Sequence, residues 1–350
     1  MSEMGGHTPD HRPVTPAAAG FAMPPEWEPH AATLVAWPCR AELWGALLPE
    51  AKADYAAVIR AVAAFEPVLV VCPPGLAAAV RDACGGTPAE IEVLELPIDD
   101  SWTRDNGPIF VQDAAGEVAA VKFGFNAWGN RWHPYADDAL VPDRIAAHLG
   151  MRLFKAPFVL EGGAIFVDGE GTLITTEQCL LNPNRNPDLT REQIEQGLKD
   201  YLGVTTVVWL PVGHVLDVGP EGTDGHVEGV AQYLAPGRIL LEVPSNPAAA
   251  AFEGGQANLA ALHRVRDARG RAFEVTVLDP GTDPAISYAN HYIANGGVIV
   301  PTEGNAADEP VLAFLASVYP GREIVPVPGA TLAFGGGGPH CITQQIPDAG

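Results

Sequence analysis

Short apolar runs alternate along the chain with longer segments in which apolar residues recur at helical spacing. The short runs predict strands and the longer segments predict helices. We expect strands at 67–72, 91–96, 109–112, 118–123, 163–167, 172–175, 207–210, 227–234, 239–243, 273–278, 292–295, 298–301 and 323–327. We expect helices at 49–65, 76–83, 137–149, 190–202, 252–268 and 308–318. The helix at 190–202 begins with Thr190, and Gln193 follows at the spacing of a capping box.

The order strand, strand, helix, strand recurs about four times, and a fifth time if residues 31–96 hold a degenerate copy. Only the order of elements repeats, not the residues. Such repetition favours an α/β fold with radial or quasi-symmetric stacking in one domain. An ordinary open α/β sheet is the alternative, although the many hairpins argue against an all-parallel sheet. Residues 1–20 are rich in Pro, Ala, Gly and His and predict a disordered lead-in, which leaves 21–350 as the single domain.

The composition bounds the partners and the compartment. The chain has 350 residues, 47% of them hydrophobic, so it can bury a sizeable core. Its net charge of −23 argues against a nucleic-acid partner and would attract a cationic substrate, although solubility in an acidic proteome explains the same excess. Five cysteines without a CxxC pair indicate thiols in a reducing compartment. Without a membrane-length apolar run or a signal peptide pattern, we expect a soluble, cytoplasmic protein.

Four polar clusters fall at turns between the predicted units, where a common site can form. The first is 99–108, in which three carboxylates accompany Trp102 and Arg104. Such a group could grip a planar cation. The alternative is a solvated acidic turn with a local Arg–Asp pair of little energetic value.

The second and third clusters carry the candidate acid–base groups. Glu161 stands before paired glycines at the mouth of a hairpin, where it could also be an exposed turn residue. His226 and Glu228 alternate at strand spacing, so we expect both side chains on the same face. A histidine beside a carboxylate suits acid–base catalysis. It also begins a metal site, but a further spaced histidine is missing. A surface strand with alternating polar residues is the structural alternative.

The fourth cluster is Cys341, which follows His340, Pro339 and the four glycines 335–338. A rigid glycine loop can present a cysteine and lower its pKa through backbone amides. Two other interpretations remain open at this point. The segment could be a flexible linker before a frayed tail, or the cysteine could be a buried structural residue.

The clusters in this order resemble the agmatine deiminase family of the guanidine-modifying (pentein) superfamily. The segments that carry the resemblance are 21–27, 100–108, 123–129, 160–163, 180–187, 223–226 and 336–345. The resemblance implies a fivefold pseudo-symmetric α/β propeller of ββαβ units, which agrees with the predicted order of elements. It implies conversion of agmatine to N-carbamoylputrescine and ammonia through a covalent thiouronium intermediate.

The same resemblance implies roles for individual residues. Cys341 would be the nucleophile and His226 the general acid and base. Asp105 would bind the guanidinium nitrogens, Glu161 would orient His226, and Glu228 would fork onto the guanidinium from the other side. Further substrate-binding residues are expected at Trp102, Asp99, Trp128, Asp224, Glu221 and Asn290. No cofactor and no metal are expected, and a homodimer is expected only because dimers are the commonest closed oligomers.

Three departures from the family pattern bear on the substrate. Glu228 and Gly229 replace the usual aspartate and asparagine. Gly222, with Glu221 before it, replaces a usual glutamate, and Gly338 with Pro339 replaces Asn-Ile. Two other functions therefore remain open: a deiminase or amidinotransferase for another guanidino compound, and a catalytically silent binding protein with the same fold.

Overall fold

The computed structural model describes residues 14–219, 222–281 and 284–350. Its strands are β1 (His30–Ala36), β2 (Val68–Cys72), β3 (Ile91–Glu95), β4 (Ile109–Gln112), β5 (Val118–Gly124), β6 (Leu153–Val159), β7 (Phe166–Val167), β8 (Thr172–Thr176), β9 (Thr206–Leu210), β10 (Ala231–Ala235), β11 (Arg238–Glu242), β12 (Glu274–Leu278), β13 (Tyr292–Ala294), β14 (Gly297–Thr302), β15 (Glu323–Pro328) and β16 (Thr343–Pro347). Its α-helices are α1 (Ala41–Trp44), α2 (Leu48–Val62), α3 (Ala77–Cys84), α4 (Thr103–Asn106), α5 (Ala127–Asn130), α6 (Val141–His148), α7 (Glu177–Leu180), α8 (Arg191–Leu202), α9 (Phe252–Leu262), α10 (Asp308–Val318) and α11 (Ala330–Phe334).

The described strands form five separate sheets that share one plan. Four of them contain three strands each, in the orders β4-β5-β6, β7-β8-β9, β10-β11-β12 and β13-β14-β15. In every case the first pair is antiparallel and the second pair is parallel. A helix lies in each parallel crossover, because parallel neighbours need a long connection. The mixed α/β class predicted from the sequence is confirmed.

The remaining sheet joins the two ends of the chain. Its order is β16-β1-β2-β3, in which β16 pairs antiparallel with β1 and β2 pairs parallel with β1. The copy that looks degenerate within residues 31–96 is therefore completed by Thr343–Pro347. This pairing places the loop before β16 beside the loops of the other sheets.

Local sequence explains the longer helices. In α8 the Thr190 side chain accepts a hydrogen bond from the Gln193 amide, and the capping box predicted there is present. Ile194, Leu198 and Leu202 recur at a spacing of four residues, so they bury one stripe of α8 against β6 and the neighbouring core. The helix ends at Gly203, which adopts a left-handed conformation with φ of 69°.

Several predicted boundaries were wrong. The helix predicted at 252–268 ends at Leu262, and the Asp267 carboxylate then captures the amides of Arg269 and Arg271 in a turn. The strand predicted at 163–167 is reduced to Phe166–Val167 after a 3-10 turn, and the segment 137–149 divides into a 3-10 turn and α6. Strands β1, β6 and β16 and the shortest helices were not predicted.

Two further expectations concern the ends and the membrane. Residues 1–13 of the predicted lead-in lie outside the described residues, and Ala17–Ala19 form one 3-10 turn. Within the described part of the chain, none of the helices has the length and apolar character needed to cross a bilayer.

Candidate active site

A polar side chain stands just before the first strand of each sheet. Asp105 lies in α4 ahead of β4, Glu161 ahead of β7, His226 ahead of β10, Asn290 ahead of β13 and Cys341 ahead of β16. All five side chains are buried. The shared plan of the sheets thus brings residues from distant parts of the sequence to one place.

The glycines before Cys341 are needed because side chains pack against their α-carbons. A Cβ at Gly337 would stand 2.6 Å from the Trp102 ring and 3.0 Å from Cys341 Sγ. A Cβ at Gly338 would stand 2.5 Å from Asn290 Oδ1. Gly336 has a φ of 97°, which favours glycine. The loop is therefore a packed mount for the cysteine and not a frayed tail.

The Cys341 thiol lies between a carboxylate and an amide. It donates to Glu228 Oε1 at 2.7 Å, and Asn290 Nδ2 donates to the sulfur at 3.1 Å. Burial, together with the negative charges of Glu228 and Asp105, raises the pKa of the Cys341 thiol well above its usual value. The resting cysteine, which donates its hydrogen to Glu228, is consequently a neutral thiol, and its ionisation requires a further positive charge beside the sulfur.

His226 lies among three carboxylates at ion-pair distances. Its Nδ1 is 3.5 Å from Glu228 Oε1 and 3.8 Å from Asp105 Oδ1, and its Nε2 is 3.7 Å from Glu161 Oε2. Burial opposes the charged ring, but Asp105 and the neighbouring Cys179 and Glu161 raise the pKa of His226 well above its usual value. The resting imidazole is therefore protonated and can act as an acid.

Two of these carboxylates are held in place by donors from other loops. Asp105 accepts hydrogen bonds from Trp128 Nε1 at 2.8 Å and from the Gly163 amide at 3.0 Å. Burial raises the pKa of Asp105 to about 6, against the opposing charge of His226. Glu161 accepts from Arg185 Nε at 2.7 Å, and although burial raises its pKa, the Arg185 charge lowers it to about 2.

The strand predicted at 227–234 was wrong at its start, although the side chains of His226 and Glu228 do meet. Val227–Gly229 form a 3-10 turn, and β10 begins only at Ala231. Asp217 fixes the backbone that enters the turn, because its carboxylate accepts the amide hydrogens of Gly225 and His226 at 3.0 and 2.9 Å. Such side-chain bonds to backbone amides favour a turn over a strand.

The cluster at 99–108 is buried, so the solvated acidic turn is excluded. Trp102 and Trp128 lie with Asp105 on a wall of the cavity beside Cys341. Asp99 is not brought into that cavity, because its carboxylate accepts the Asp137 amide hydrogen at 2.8 Å.

Of the two substrate-binding candidates that precede His226, Asp224 lies among the described residues. Asp224 accepts hydrogen bonds from Arg185 Nη1 at 2.8 Å and Asn184 Nδ2 at 2.9 Å, so it supports the site from behind. Arg131 forms a second ion pair with the same carboxylate. Glu221 lies outside the described residues.

Cavities reach the thiol from two sides. One cavity is bounded by the glycine loop and contains Cys341, His226, Glu228 and Asn290 on its wall. Its other walls combine glycines and apolar residues with polar side chains such as Asp217. A second cavity lies on the tryptophan side and contains Asp105 and Cys341. A planar group placed between the two cavities would therefore lie between the carboxylates of Asp105 and Glu228.

Among the described residues, two groups of side chains have donor atoms close enough to hold a metal ion. They are Asp105, His226 and Glu228, and Glu161, Cys179 and His226, each with donor atoms within 4.8 Å of one another. Both groups include His226. An ion at either place would occupy an imidazole nitrogen and compete with proton transfer by that ring.

Sequence reasoning missed Glu26, Arg185 and Asp217 as parts of the site. Glu26 lies near the other end of the sequence, and its Oε2 is 2.6 Å from His340 Nε2. No local sequence pattern signals this contact. Both Glu26 and Arg185 lie in segments that carry the family resemblance, 21–27 and 180–187, which was the available signal.

The comparisons with known proteins agree with this geometry. Residues 22–347 match the model of the Porphyromonas-type peptidyl-arginine deiminase family. The chain belongs to this family. It is 41% identical over 363 residues to an agmatine deiminase of Pseudomonas aeruginosa, with 95% of this chain and 97% of that protein covered.

Two solved structures extend the comparison to the fold. The agmatine deiminase of Enterococcus faecalis is 36% identical with a TM-score of 0.90, and the alignment covers 97% of this chain and 99% of that one. A cysteine-to-serine variant of the C. jejuni agmatine deiminase with substrate bound is 26% identical with a TM-score of 0.82, covering 93% and 96%. The resemblance to the agmatine deiminase family seen in the sequence is confirmed.

Proposed function

We propose that this protein hydrolyses agmatine to N-carbamoylputrescine and ammonia, which is hydrolysis of a C–N bond in a linear amidine. The observation that carries the proposal is the Cys341 thiol, placed 2.7 Å from Glu228 Oε1 in the cavity that also contains His226. The relatives that share most of the chain are named as agmatine deiminases, which supports the same substrate.

Binding of the guanidinium follows from the two carboxylates. Asp105 and Glu228 face the space beside Cys341 from opposite cavities. A planar guanidinium offers rigid N–H donors that match carboxylate oxygens, and charge-assisted bonds of this kind are strong in a water-poor site. Its arrival also brings the positive charge that the neutral thiol needs, so binding lowers the pKa of Cys341 and favours the thiolate.

The chemical steps then require one nucleophile and one proton carrier. As the guanidinium binds, the Cys341 thiol releases its proton to solvent. The thiolate Sγ then forms a bond to the central guanidinium carbon, and the protonated His226 gives its proton to the nitrogen that leaves as ammonia. A thiouronium adduct on Cys341 remains. Water attacks its carbon and yields one proton to the now neutral His226. The C–S bond then breaks, the second water proton returns to the Cys341 sulfur, and the neutral ureido product leaves.

The reaction is tested with a panel of guanidino compounds and separate assays for ammonia and ureido products. The proposal expects agmatine to give both products in equal amounts. Amidino transfer to an added amine, without ammonia, would favour the amidinotransferase, and turnover of a different guanidine would reassign the substrate. A protein that neither binds nor converts any member of the panel would be the silent module. Unchanged activity after chelator treatment is expected, whereas loss that zinc restores would favour a metal mechanism.

We infer that the five sheets surround a common centre as a fivefold propeller. The inference is supported by their shared strand order and by the meeting of the residues that precede each first strand. An experimental structure tests it: five sheets related by rotation about one axis are expected, and an open stack would contradict the inference.

Three further expectations accompany the proposed function. Cytoplasmic location is supported by five cysteines that all remain free thiols. A single catalytic domain over 21–350 is supported by the sheet that pairs β16 with β1, and the absence of nucleic-acid or membrane partners by the acidic charge. A homodimer rests on base rate alone, and light scattering of the purified protein measures it.

A further inference from the structure

Behind Glu228 lies a second buried histidine that the reaction described above does not use. His340 Nδ1 is hydrogen-bonded to Glu228 Oε2, and His340 Nε2 is 2.6 Å from Glu26 Oε2. The His340 side chain is 1% exposed, so bulk water cannot replace these carboxylates as its hydrogen-bond partners. The Cys341 thiol, two carboxylates and this imidazole thus form one chain of contacts.

The hydrogen bonds define the charge of His340. Ionised carboxylates only accept, so both ring nitrogens must donate and the ring is an imidazolium. Burial and the Arg104 charge oppose this state, but Glu26 and Glu228 raise the pKa of His340 above its usual value. In turn, although burial alone would raise the pKa of Glu228, the His340 charge lowers it.

Glu26 is fixed independently of His340. Its Oε1 accepts the Ile293 amide hydrogen at 2.9 Å and a hydrogen from Gln232 Nε2 at 3.3 Å. Its Oε2 also lies 3.5 Å from Arg104 Nη2. The far end of the chain of contacts is therefore anchored to β13 and β10, and the His340 ring is packed against Phe166 with 4.9 Å between ring centroids.

The near end faces the reacting atoms. Oε2 of Glu228 is held by His340, and Oε1 is directed at Cys341 Sγ and lies 3.5 Å from His226 Nδ1. The glutamate spans from the imidazole to the thiol, and an aspartate, with one methylene fewer, could not keep both contacts from the same backbone position. Misplacement of a reacting group by about 1 Å can cost roughly 100-fold in rate.

From this geometry we propose that Glu26 and His340 are positioning residues that hold Glu228 in the orientation needed to bind the guanidinium beside Cys341. The proposal rests on the proposed function. Because Glu26 holds Nε2 of His340, the ring keeps its Nδ1 directed at Glu228. His340 in turn prevents the Glu228 side chain from turning away from the thiol.

Two isosteric variants separate the contacts of His340. His340→Asn places an amide donor near the Nδ1 position and can still hold Glu228 Oε2. His340→Gln places its donor near the Nε2 position and can hold only Glu26. Both variants lose the imidazolium charge. We expect kcat/KM for agmatine to fall about 100-fold in His340→Gln and clearly less in His340→Asn.

Glu26→Gln supplies a readout in the pH profile. Loss of the Glu26 charge lowers the pKa of His340, so the imidazolium is lost at a lower pH. The alkaline limb of the kcat/KM profile should therefore move to lower pH. The control is Asp308→Asn, which removes another buried carboxylate. Asp308 is the first residue of α10 and accepts a hydrogen bond from Tyr288 Oη at 2.8 Å. It should reduce the stability to unfolding and leave the pH profile unchanged.

Equal losses of kcat/KM in His340→Asn and His340→Gln would overturn the proposal. So would a Glu26→Gln protein that behaves like Asp308→Asn, with lower stability and an unmoved pH limb.

A measurement without substrate separates this failure from failure of the proposed function. The Glu228 charge raises the pKa of the Cys341 thiol, so a Glu228 that turns away should lower it. The apparent pKa obtained from the rate of Cys341 alkylation by iodoacetamide should therefore be lower in His340→Gln than in His340→Asn. If the wild-type protein releases no ammonia from agmatine but this difference is found, the proposed substrate fails and the positioning role stands. Identical alkylation profiles would overturn the positioning role.

Discussion

At the scale of single residues, the site depends on close approaches that only small groups permit. A Cβ at Gly163 would stand 2.5 Å from Glu228 Oε1 and 2.6 Å from His226 Nδ1. The Gly163 amide also donates to Asp105, so this one residue adjoins three of the proposed catalytic groups. The sequence reveals the paired glycines but not what lies against them, because that contact joins parts of the chain far apart.

The substitution Gly163→Ala should therefore displace Glu228 and His226 and lower kcat/KM for agmatine by about 100-fold or more. Steady-state kinetics measure this effect. Gly254→Ala is the matched control, since its Cβ would meet only Val212 Cγ2 at 3.0 Å outside the site. Equal activity of the two alanine proteins would show that the packing at Gly163 is not needed.

The acid limb of the pH profile follows from a second residue. Burial raises the pKa of Asp105 to about 6, and the neutral acid form cannot attract a guanidinium. The carboxylate is present above that pH and is lost as the pH falls through it. We expect kcat/KM for agmatine to decline below about pH 6, and a profile that stays flat to pH 5 would be inconsistent with this role for Asp105.

At the scale of elements, local signals predicted the long helices and most core strands. They did not predict β1 and β16, which pair in the sheet that joins the two ends of the chain. β16 contains Thr343, Gln344 and Gln345, so it resembles a polar tail. All its residues are buried, and their polar side chains find partners inside the protein. Arg104 Nη1 donates to Gln345 Oε1 at 2.8 Å, and Thr343 Oγ1 donates to the Pro339 carbonyl at 2.8 Å. Polar residues that find buried partners cannot be recognised from hydropathy.

The capping box of α8 gives a prediction that should affect stability alone. Thr190→Ala removes the side-chain acceptor of the Gln193 amide, and loss of such a cap costs about 1 kcal/mol in the free energy of unfolding. Denaturant titration measures the loss, and kcat/KM should remain unchanged because α8 lies outside the cavity. An unchanged unfolding free energy would mean that the cap does not contribute.

At the scale of the whole molecule, the repeated plan of the sheets places one site residue before each first strand. The sequence predicted the repetition and the four clusters, yet it assigned Asp99 to the site, where the structure has the Asp137 amide as its partner. Element order can be inferred from local periodicity. The contacts that bring Glu26 and Arg185 to the site depend on how the sheets pack together, which local periodicity does not show.

The net charge of −23 acts over the same scale. It should draw a cationic substrate toward the cavity, and salt screens this attraction, with a Debye length of about 10 Å at 0.1 M. We expect KM for agmatine to rise with sodium chloride but not with sucrose of equal osmolarity. Equal effects of the two solutes would exclude long-range electrostatic attraction.

The covalent role of Cys341 is tested by intact-protein mass spectrometry of samples quenched in acid during turnover of agmatine. The expected species is heavier than the free protein by the mass of agmatine less ammonia, and peptide mapping should locate the addition at Cys341. Cys341→Ala should show neither the adduct nor ammonia release. Ammonia release by Cys341→Ala, or an adduct on another residue, would contradict the proposed mechanism.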